Sequence, residues 1–291
     1  MVPNVNNIGV FPFYGPIEDW AGSKPDWNSN KPWAYGLVYP FVVPHGFLPT
    51  AQILLPDGIS AIDSLMLYKA DDPSFSYEIP DSGEYFSVEN YYVGSKYAVV
   101  IYCEEILPTV LDQGRYYMVL ASGDYSWYSD IFTMVGPYPG NDSLQNYIKI
   151  EWCDEHDFIT DDGAVVYQLS HRNDRIEQFW NRLYLLSDIG KPDYRFEEEG
   201  EEREGYFFPL SQISKKVYRF KFLAPEYLCD SVRLIRMADH ISIEYSGHVY
   251  NVTGFSPSFS WQEGGLLAAV EVEFETNTVA KKIGWGQSRK T

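Results

Sequence analysis

Between residues 51 and 135 no apolar segment runs beyond about eight residues before turn chemistry stops it. "AQILL" closes on Pro56-Asp57-Gly58, and "SLMLYKA" closes on Asp71-Asp72-Pro73. "KYAVVIYC" and "RYYMVLAS" follow, the second ending at Gly123-Asp124, and "YSWYSDIFTMV" comes next. In that last segment Trp127, Ser129, Ile131, Thr133 and Val135 alternate with Tyr128, Asp130, Phe132 and Met134, the period of a strand with two different faces. Segments this short leave little room for helices. Their length and spacing predict antiparallel strands packed as a β-sandwich over residues 51–138.

Residues 1–50 obey another rule. They hold eight of the 18 prolines and three tryptophans, Trp20, Trp27 and Trp33. Proline fixes φ and removes a donor, so regular helix and central strand are both disfavoured. So many aromatic rings are costly to leave in water. An extended arm laid over a surface reconciles the two, and that surface is either its own domain or a neighbouring subunit. The three tryptophans are therefore candidate subunit contacts.

The turn-rich "GPYPGND" at 136–142 marks the domain boundary, and residues 139–291 read as a second, α+β domain. "YIKIEW" and "AVVYQLS" open it as strands. "RIEQFWNRLYLL" fits a helix, with Ile176, Phe179, Trp180, Leu183 and Tyr184 at helical spacing and Asp174 and Glu177 as a capping box, but it also fits a strand. "KKVYRFKFL" alternates basic and apolar residues as a strand. In "APEYLCDSVRLI" Pro225 suits a first helical position, and Leu228, Val232 and Ile235 share one helical face. "ISIEY" and "HVYNVTGF" flank Ser246-Gly247 as a hairpin. "AAVEVEFET" points Val270, Val272 and Phe274 inward and Glu271, Glu273 and Glu275 outward. The tail "KKIGWGQSRKT" is basic, with Trp285 as its candidate anchor. The whole is mainly β: an N-terminal extended arm, an antiparallel β-sandwich, then an α+β domain with an antiparallel sheet.

Net charge is −19 over 291 residues, which argues against a surface that grips nucleic acid, since phosphate binding needs clustered Lys and Arg. Aromatics at 17% exclude a disordered acidic chain. No apolar run approaches the ~20 residues of a spanning helix, and no signal peptide is expected from the N-terminus. Cys103, Cys153 and Cys229 are expected to be reduced.

Motifs for chemistry are sparse. "EWCDEHDFITDDG" offers Asp154, Asp157, Asp161, Asp162 and Gly163, a spacing that misses the calcium-loop template, so a polar turn is expected. Cys153 and His156 stand as C-x-x-H without a second pair for zinc, so a half-buried cysteine beside a surface histidine is expected. Neither a G-x-S-x-G elbow nor a phosphate loop occurs. Tyr125, Trp127 and Tyr128 suit a core or subunit interface, and alternatively a sugar-stacking surface. No enzyme activity, cofactor or metal is expected.

One run stands out. "DYRFEEEGEER" and Glu204 after it, residues 193–204, hold seven acids and two arginines in twelve residues, anchored by "KPDY" before and "YFFPL" after. With these anchors an ordered acid-faced strand or loop is expected, with Tyr194 and Phe196 pointing inward, Arg195 outward, and a bend or bulge at Gly200. Glu197, Glu198, Glu199, Glu201, Glu202 and Glu204 are the candidate acidic lumen or interface.

"GRYYMVLASGDYSWYSDIFTMV", "KPDYRFEEEGEEREGYFFPL", "KKVYRFKFLAPEYLCDSVRLI" and "LAAVEVEFET" resemble phrases in virion and tail proteins of phages infecting Bacteroidetes, including crAss-like phages. The resemblance spans about residues 80–291, fades in the arm, and carries no catalytic residues. It implies a non-enzymatic structural subunit of a phage particle, a ring or connector component of the tail or neck, assembled in the host cytoplasm. The implied partners are copies of itself, neighbouring virion or tail proteins, and DNA passing without specific binding; no membrane is implied. An acidic lumen would repel DNA phosphates and let the polymer slide. A carbohydrate-binding or adhesin-like module on the particle surface is the alternative.

Overall fold

The computed structural model describes residues 6–7, 10–14, 41–80, 86–90, 97–101, 111–136, 147–154, 180–261 and 267–283. In chain order the early strands are β1 Asn6–Asn7, β2 Phe13–Tyr14, β3 Phe41–Pro44, β4 Ala51–Leu54, β5 Ser64–Lys69, β6 Asp72–Ile79, β7 Phe86–Asn90 and β8 Tyr97–Ile101. Next come β9 Gly114–Ser122, β10 Tyr125–Ser129, β11 Phe132–Val135, β12 Tyr147–Cys153, β13 Asn181–Leu186, β14 Asp193–Arg203 and β15 Tyr206–Ala224. The helix α1 Glu226–Ile235 then precedes β16 His240–Tyr245, β17 His248–Trp261 and β18 Ala268–Ile283. The chain is mainly β, as its short punctuated segments predict.

The first two sheets enclose one core. The four-stranded sheet runs β1-β4-β8-β7; the other runs β2-β10-β9-β11-β3, with β5 and then β6 on the far side of β9. Ile53, Phe86, Val99 and Ile101 from the first bury against the same cluster as Phe13, Leu65, Leu67, Tyr116, Met118 and Phe132 from the second. Alternation explains which side chains these are: in β5, Leu65 and Leu67 face the cluster. Met66 and Tyr68 face a smaller one around Tyr117 and Val119. The pairings among the described residues are antiparallel with one exception, the parallel pair of β3 with β11. That exception departs from the all-antiparallel expectation. Its two strands are far apart in sequence, which is the long return a parallel pair requires.

"YSWYSDIFTMV" is not one uninterrupted strand. Tyr128 pairs with Val119 and Phe132 with Tyr116, so β10 and β11 continue along β9 with one extra residue between them. This is a bulge, and it shifts the inward phase from Trp127 and Ser129 to Phe132 and Met134. Ser129 satisfies the interrupted ladder. Its Oγ accepts from the Met118 N–H at 2.7 Å and donates to the Asp130 carbonyl at 2.7 Å. On the outer side the Asp130 N–H donates to the Pro12 carbonyl at 3.1 Å.

The third sheet has the order β13-β12-β16-β17-β18-β15-β14 and is antiparallel throughout. "NRLYLL" is therefore strand; the residues before Trp180 in that ambiguous segment, Asp174 and Glu177 included, lie outside the described residues. Val270, Val272 and Phe274 are buried, as their alternation predicts. The helix begins one residue later than expected: Pro225 is its N-cap, with extended backbone at φ −70° and ψ 165°. Leu228, Cys229, Val232 and Ile235 bury its apolar face in the cluster that holds Phe220, Phe222, Phe255 and Phe274.

That cluster is continuous with the core of the first two sheets. Thr50 Oγ1 accepts from the Arg182 N–H at 2.9 Å, joining the chain just before β4 to β13. The ring of Tyr227 on α1 lies 6.4 Å from that of Phe41 on β3. Apart from Gly136, the 136–142 linker falls outside the described residues.

Candidate functional site

The acidic run forms β14 in full, and its folding is local. Glu204 and Gly205 connect β14 to β15 with φ of 51° and 80°, the left-handed pair of a two-residue type I′ turn. Gly205 takes such a φ without strain, and Glu204 completes the loop at φ 51°, a conformation that side chains with a Cβ rarely adopt. Pairing starts at Arg203 with Tyr206 and ends at Asp193 with Val217. Between Glu199 with Ser211 and Gly200 with Pro209 the register shifts, leaving Leu210 as the extra residue. The bulge expected at Gly200 is present, with the extra residue on the facing strand.

Period-two alternation divides the hairpin into two faces. One carries Asp193, Arg195, Glu197, Lys215 and Arg219, beside Glu271, Glu273 and Glu275 of β18. These charges interlock. Arg219 donates to Glu273 at 2.9 Å and to Asp193, and Arg195 reaches the same Glu273 oxygen at 2.6 Å. Lys215 bridges Glu197 at 2.8 Å and Glu275 at 3.4 Å. Solvent screens such exposed pairs, so their role is to hold register more than to add stability.

Burial pulls the Glu273 carboxyl up, but hydrogen bonds from Arg219 and Arg195 outweigh it and hold the group below the ordinary value of 4.5. A depressed carboxyl contributes stability that is full above 4.5 and lost as pH falls through its lower folded value. In Arg219→Gln the Glu273 carboxyl is expected to titrate higher than in the parent. Carbon NMR of the glutamate carboxyls reads this directly. An unchanged titration would show that the Arg219 contact has no weight in solution.

The other face corrects an expectation. Tyr194 and Phe196 lie on the side of Tyr218 and Phe220, as alternation requires, yet they are 61% and 71% exposed. The helix covers the face farther along β15, β17 and β18, and the edge strand lies beyond it. Phe207, paired with Glu202, falls on the same side and is 52% exposed. The acids divide between the faces: Glu197, Glu199 and Glu201 on the charged one, Glu198 and Glu202 on the aromatic one. All of them, and Glu204 in the turn, are exposed to solvent. Gln212 donates to Glu198 at 2.7 Å. Residues 206–210 of β15 pair with β14 alone among the described residues, since β18 ends where Ile283 meets Ser211. Among the described residues the hairpin tip therefore extends past the rest of the sheet.

Other candidates fall elsewhere. Trp20, Trp27, Trp33 and Trp285 lie outside the described residues, as do Cys103, His156, Asp157, Asp161, Asp162 and Gly163. Cys153 is fully buried, not half-buried, because it ends β12 with its side chain in the interior. Cys153 and Cys229 are free thiols. Burial, with Asp230 and Glu226 nearby, pushes the Cys229 thiol up to about 11, so it stays protonated at neutral pH. Trp127 is completely buried, which assigns it to the core and removes the central ring of the sugar-stacking alternative; Tyr125 is 38% exposed. Among the described residues no helix is long and apolar enough to cross a membrane.

Sequence reasoning missed the buried Asp130. Its Oδ1 accepts from the Ile131 N–H at 3.1 Å, and its Oδ2 accepts from the Tyr227 hydroxyl at 3.3 Å. Burial, and then the Asp130 carboxylate, push the Tyr14 hydroxyl far above its ordinary range. Alternation alone placed Asp130 in one row with Tyr128, Phe132 and Met134 and did not say which row faces inward; the bulge between β10 and β11 decides that Asp130 is buried.

No protein-family model matches the chain, and no curated protein matches it. Among solved structures, one titled "Crystal structure of Dpr2 Ig1-Ig2 in complex with DIP-Theta Ig1-Ig3" aligns over 85% of this chain and 95% of that chain, with 10% identity and a TM-score of 0.17. Likeness at that level carries no argument about fold or function.

Proposed function

We propose that the chain is a non-enzymatic structural subunit of a bacteriophage particle, a ring or connector component of the tail or neck through which DNA passes. The observation that carries this reading is the β14–β15 hairpin: Glu197, Glu198, Glu199, Glu201, Glu202 and Glu204 are all exposed, and among the described residues its tip extends past β18 with Glu201, Glu202 and Glu204. Repeated around a closed ring, such tips would line an opening with negative charge. Within a screening length of roughly 10 Å that field repels phosphate, so DNA would pass without adhering. The partners on this reading are copies of the chain and neighbouring tail proteins, with assembly in the host cytoplasm.

Native mass spectrometry, light scattering and electron microscopy of the purified protein and of phage particles test the proposal. A closed homo-oligomer with the β14–β15 tips facing its opening is the expected result. Absence of the protein from particles, or tips turned away from any opening, would overturn it.

A further inference from the structure

Among the described residues the β14–β15 tip is a two-stranded ribbon with an unpaired edge on each side. β14 pairs only with β15, and residues 206–210 of β15 pair only with β14. Which backbone groups those edges carry follows from Pro209. It has no N–H, so Gly200 and Pro209 cannot exchange two hydrogen bonds, and they form a wide pair. Opposed residues alternate between wide and bonded pairs, so Glu202 with Phe207 is wide as well. In a wide pair the backbone groups point away from the facing strand. The N–H and C=O of Gly200 and Glu202 therefore look out from one edge. The N–H and C=O of Phe207 and the C=O of Pro209 look out from the other.

The side chains sort the pairings open to two copies. β14 carries Glu197, Glu199 and Glu201 on one face and Glu198 and Glu202 on the other. Two β14 edges laid together would set like charges against each other on both faces, which is destabilising. "YFFPL", residues 206–210, carries no charge, and Tyr206 and Phe207 are more than half exposed. Against that strand β14 meets no repulsion, and the exposed rings gain cover. Each copy presents the acidic edge on one side of its tip and the uncharged edge on the other, so the favoured contact joins two different edges.

Direction agrees with that contact. Copies related by rotation about an axis along the hairpin place β15 of one beside β14 of the next, antiparallel, the sense in which the two already pair. The acidic strands then lie two strand spacings apart, about 10 Å, close to a screening length. A contact between two different edges repeats from copy to copy until the ring closes. We propose that the tips of neighbouring copies are joined by strand addition, the 200–203 edge of one to the 206–210 edge of the next. This rests on the ring reading above and names the contact that closes the ring.

Amide hydrogen exchange of the full chain at single-residue resolution, assembled and then diluted to monomer, tests the contact. The Gly200, Glu202 and Phe207 amides do not serve the hairpin, so a neighbouring strand is what protects them. Their exchange is expected to slow about tenfold or more on assembly. Glu202→Pro removes one outward donor and leaves the hairpin's own bonds in place. Phe207→Glu sets an acid against the neighbour's acids. Each is expected to weaken assembly about tenfold in native mass spectrometry, with a near-parent unfolding midpoint. Where a variant folds poorly, exchange in the parent decides. A ring whose three amides exchange as fast as in the monomer, or parent-like assembly of both variants, would overturn this contact and leave the ring reading standing. Protection of Phe207 already in the monomer would assign its edge to the chain's own residues beyond Ile283 and overturn the contact too. Absence of any closed oligomer would instead overturn the ring reading, and the contact with it.

Discussion

Phe274→Ala is expected to destabilise the protein by about 3–5 kcal/mol, the range for removing a buried aromatic ring from a packed core. Phe274 is completely buried on β18, between β17 and β15. Its ring stacks on Tyr218 at 5.4 Å and meets Tyr250 at 5.8 Å and Phe220 at 6.1 Å. Three aromatic neighbours from two flanking strands cannot collapse into the space without leaving their own rotamers, so most of the cavity persists. Urea unfolding followed by fluorescence and far-ultraviolet dichroism gives the midpoint. The neighbouring Glu273→Gln, on the solvent face of the same strand, is the comparison and is expected to shift it far less. A loss below about 1 kcal/mol for Phe274→Ala would mean the β15–β17–β18 interior is not packed as described.

Asp130→Ala is expected to cost about 1–3 kcal/mol, the penalty of leaving a buried donor without its acceptor. The Ile131 N–H and the Tyr227 hydroxyl both donate to this carboxylate. One lies in the bulge of the second sheet and the other on α1, so the side chain ties the two regions together. Tyr227→Phe removes only the bond to α1, and its expected cost is smaller, about 0.5–1.5 kcal/mol. The double variant decides the assignment. If Asp130 and Tyr227 act through one bond, the two losses are less than additive. Strict additivity would show that Asp130 serves the bulge alone.

These two residues illustrate what was legible beforehand. Phe274 was readable because "AAVEVEFET" alternates without interruption, and a strand that keeps its phase needs no partner to reveal its inner face. Asp130 was not, because the bulge arises between two pairings with β9, and a phase shift depends on the strand opposite. Tyr194 and Phe196 failed for a related reason. Their face was assigned correctly, but whether a face is covered depends on where the helix lies and on being at the sheet's end. The ion pairs of Arg219 with Glu273 and Lys221 with Glu271 were present as two complementary alternations, "KKVYRFKFL" and "EVEFE". Their match appears only once β15 and β18 are aligned.

The amino-acid sequence by itself determined where strand segments fall, the turn at Gly247, the inward row of β18 and the buried face of α1. All of these follow from interactions between residues close in the chain. Tertiary structure alone decided the parallel join of β3 to β11, the inward turn of Asp130, and the union of all three sheets around one buried cluster. It also decided that the acidic run is the terminal strand of the third sheet among the described residues, with exposed aromatic rings on one side and paired charges on the other. Each of these depends on which distant strand arrives alongside, and local periodicity is the same whichever strand that is.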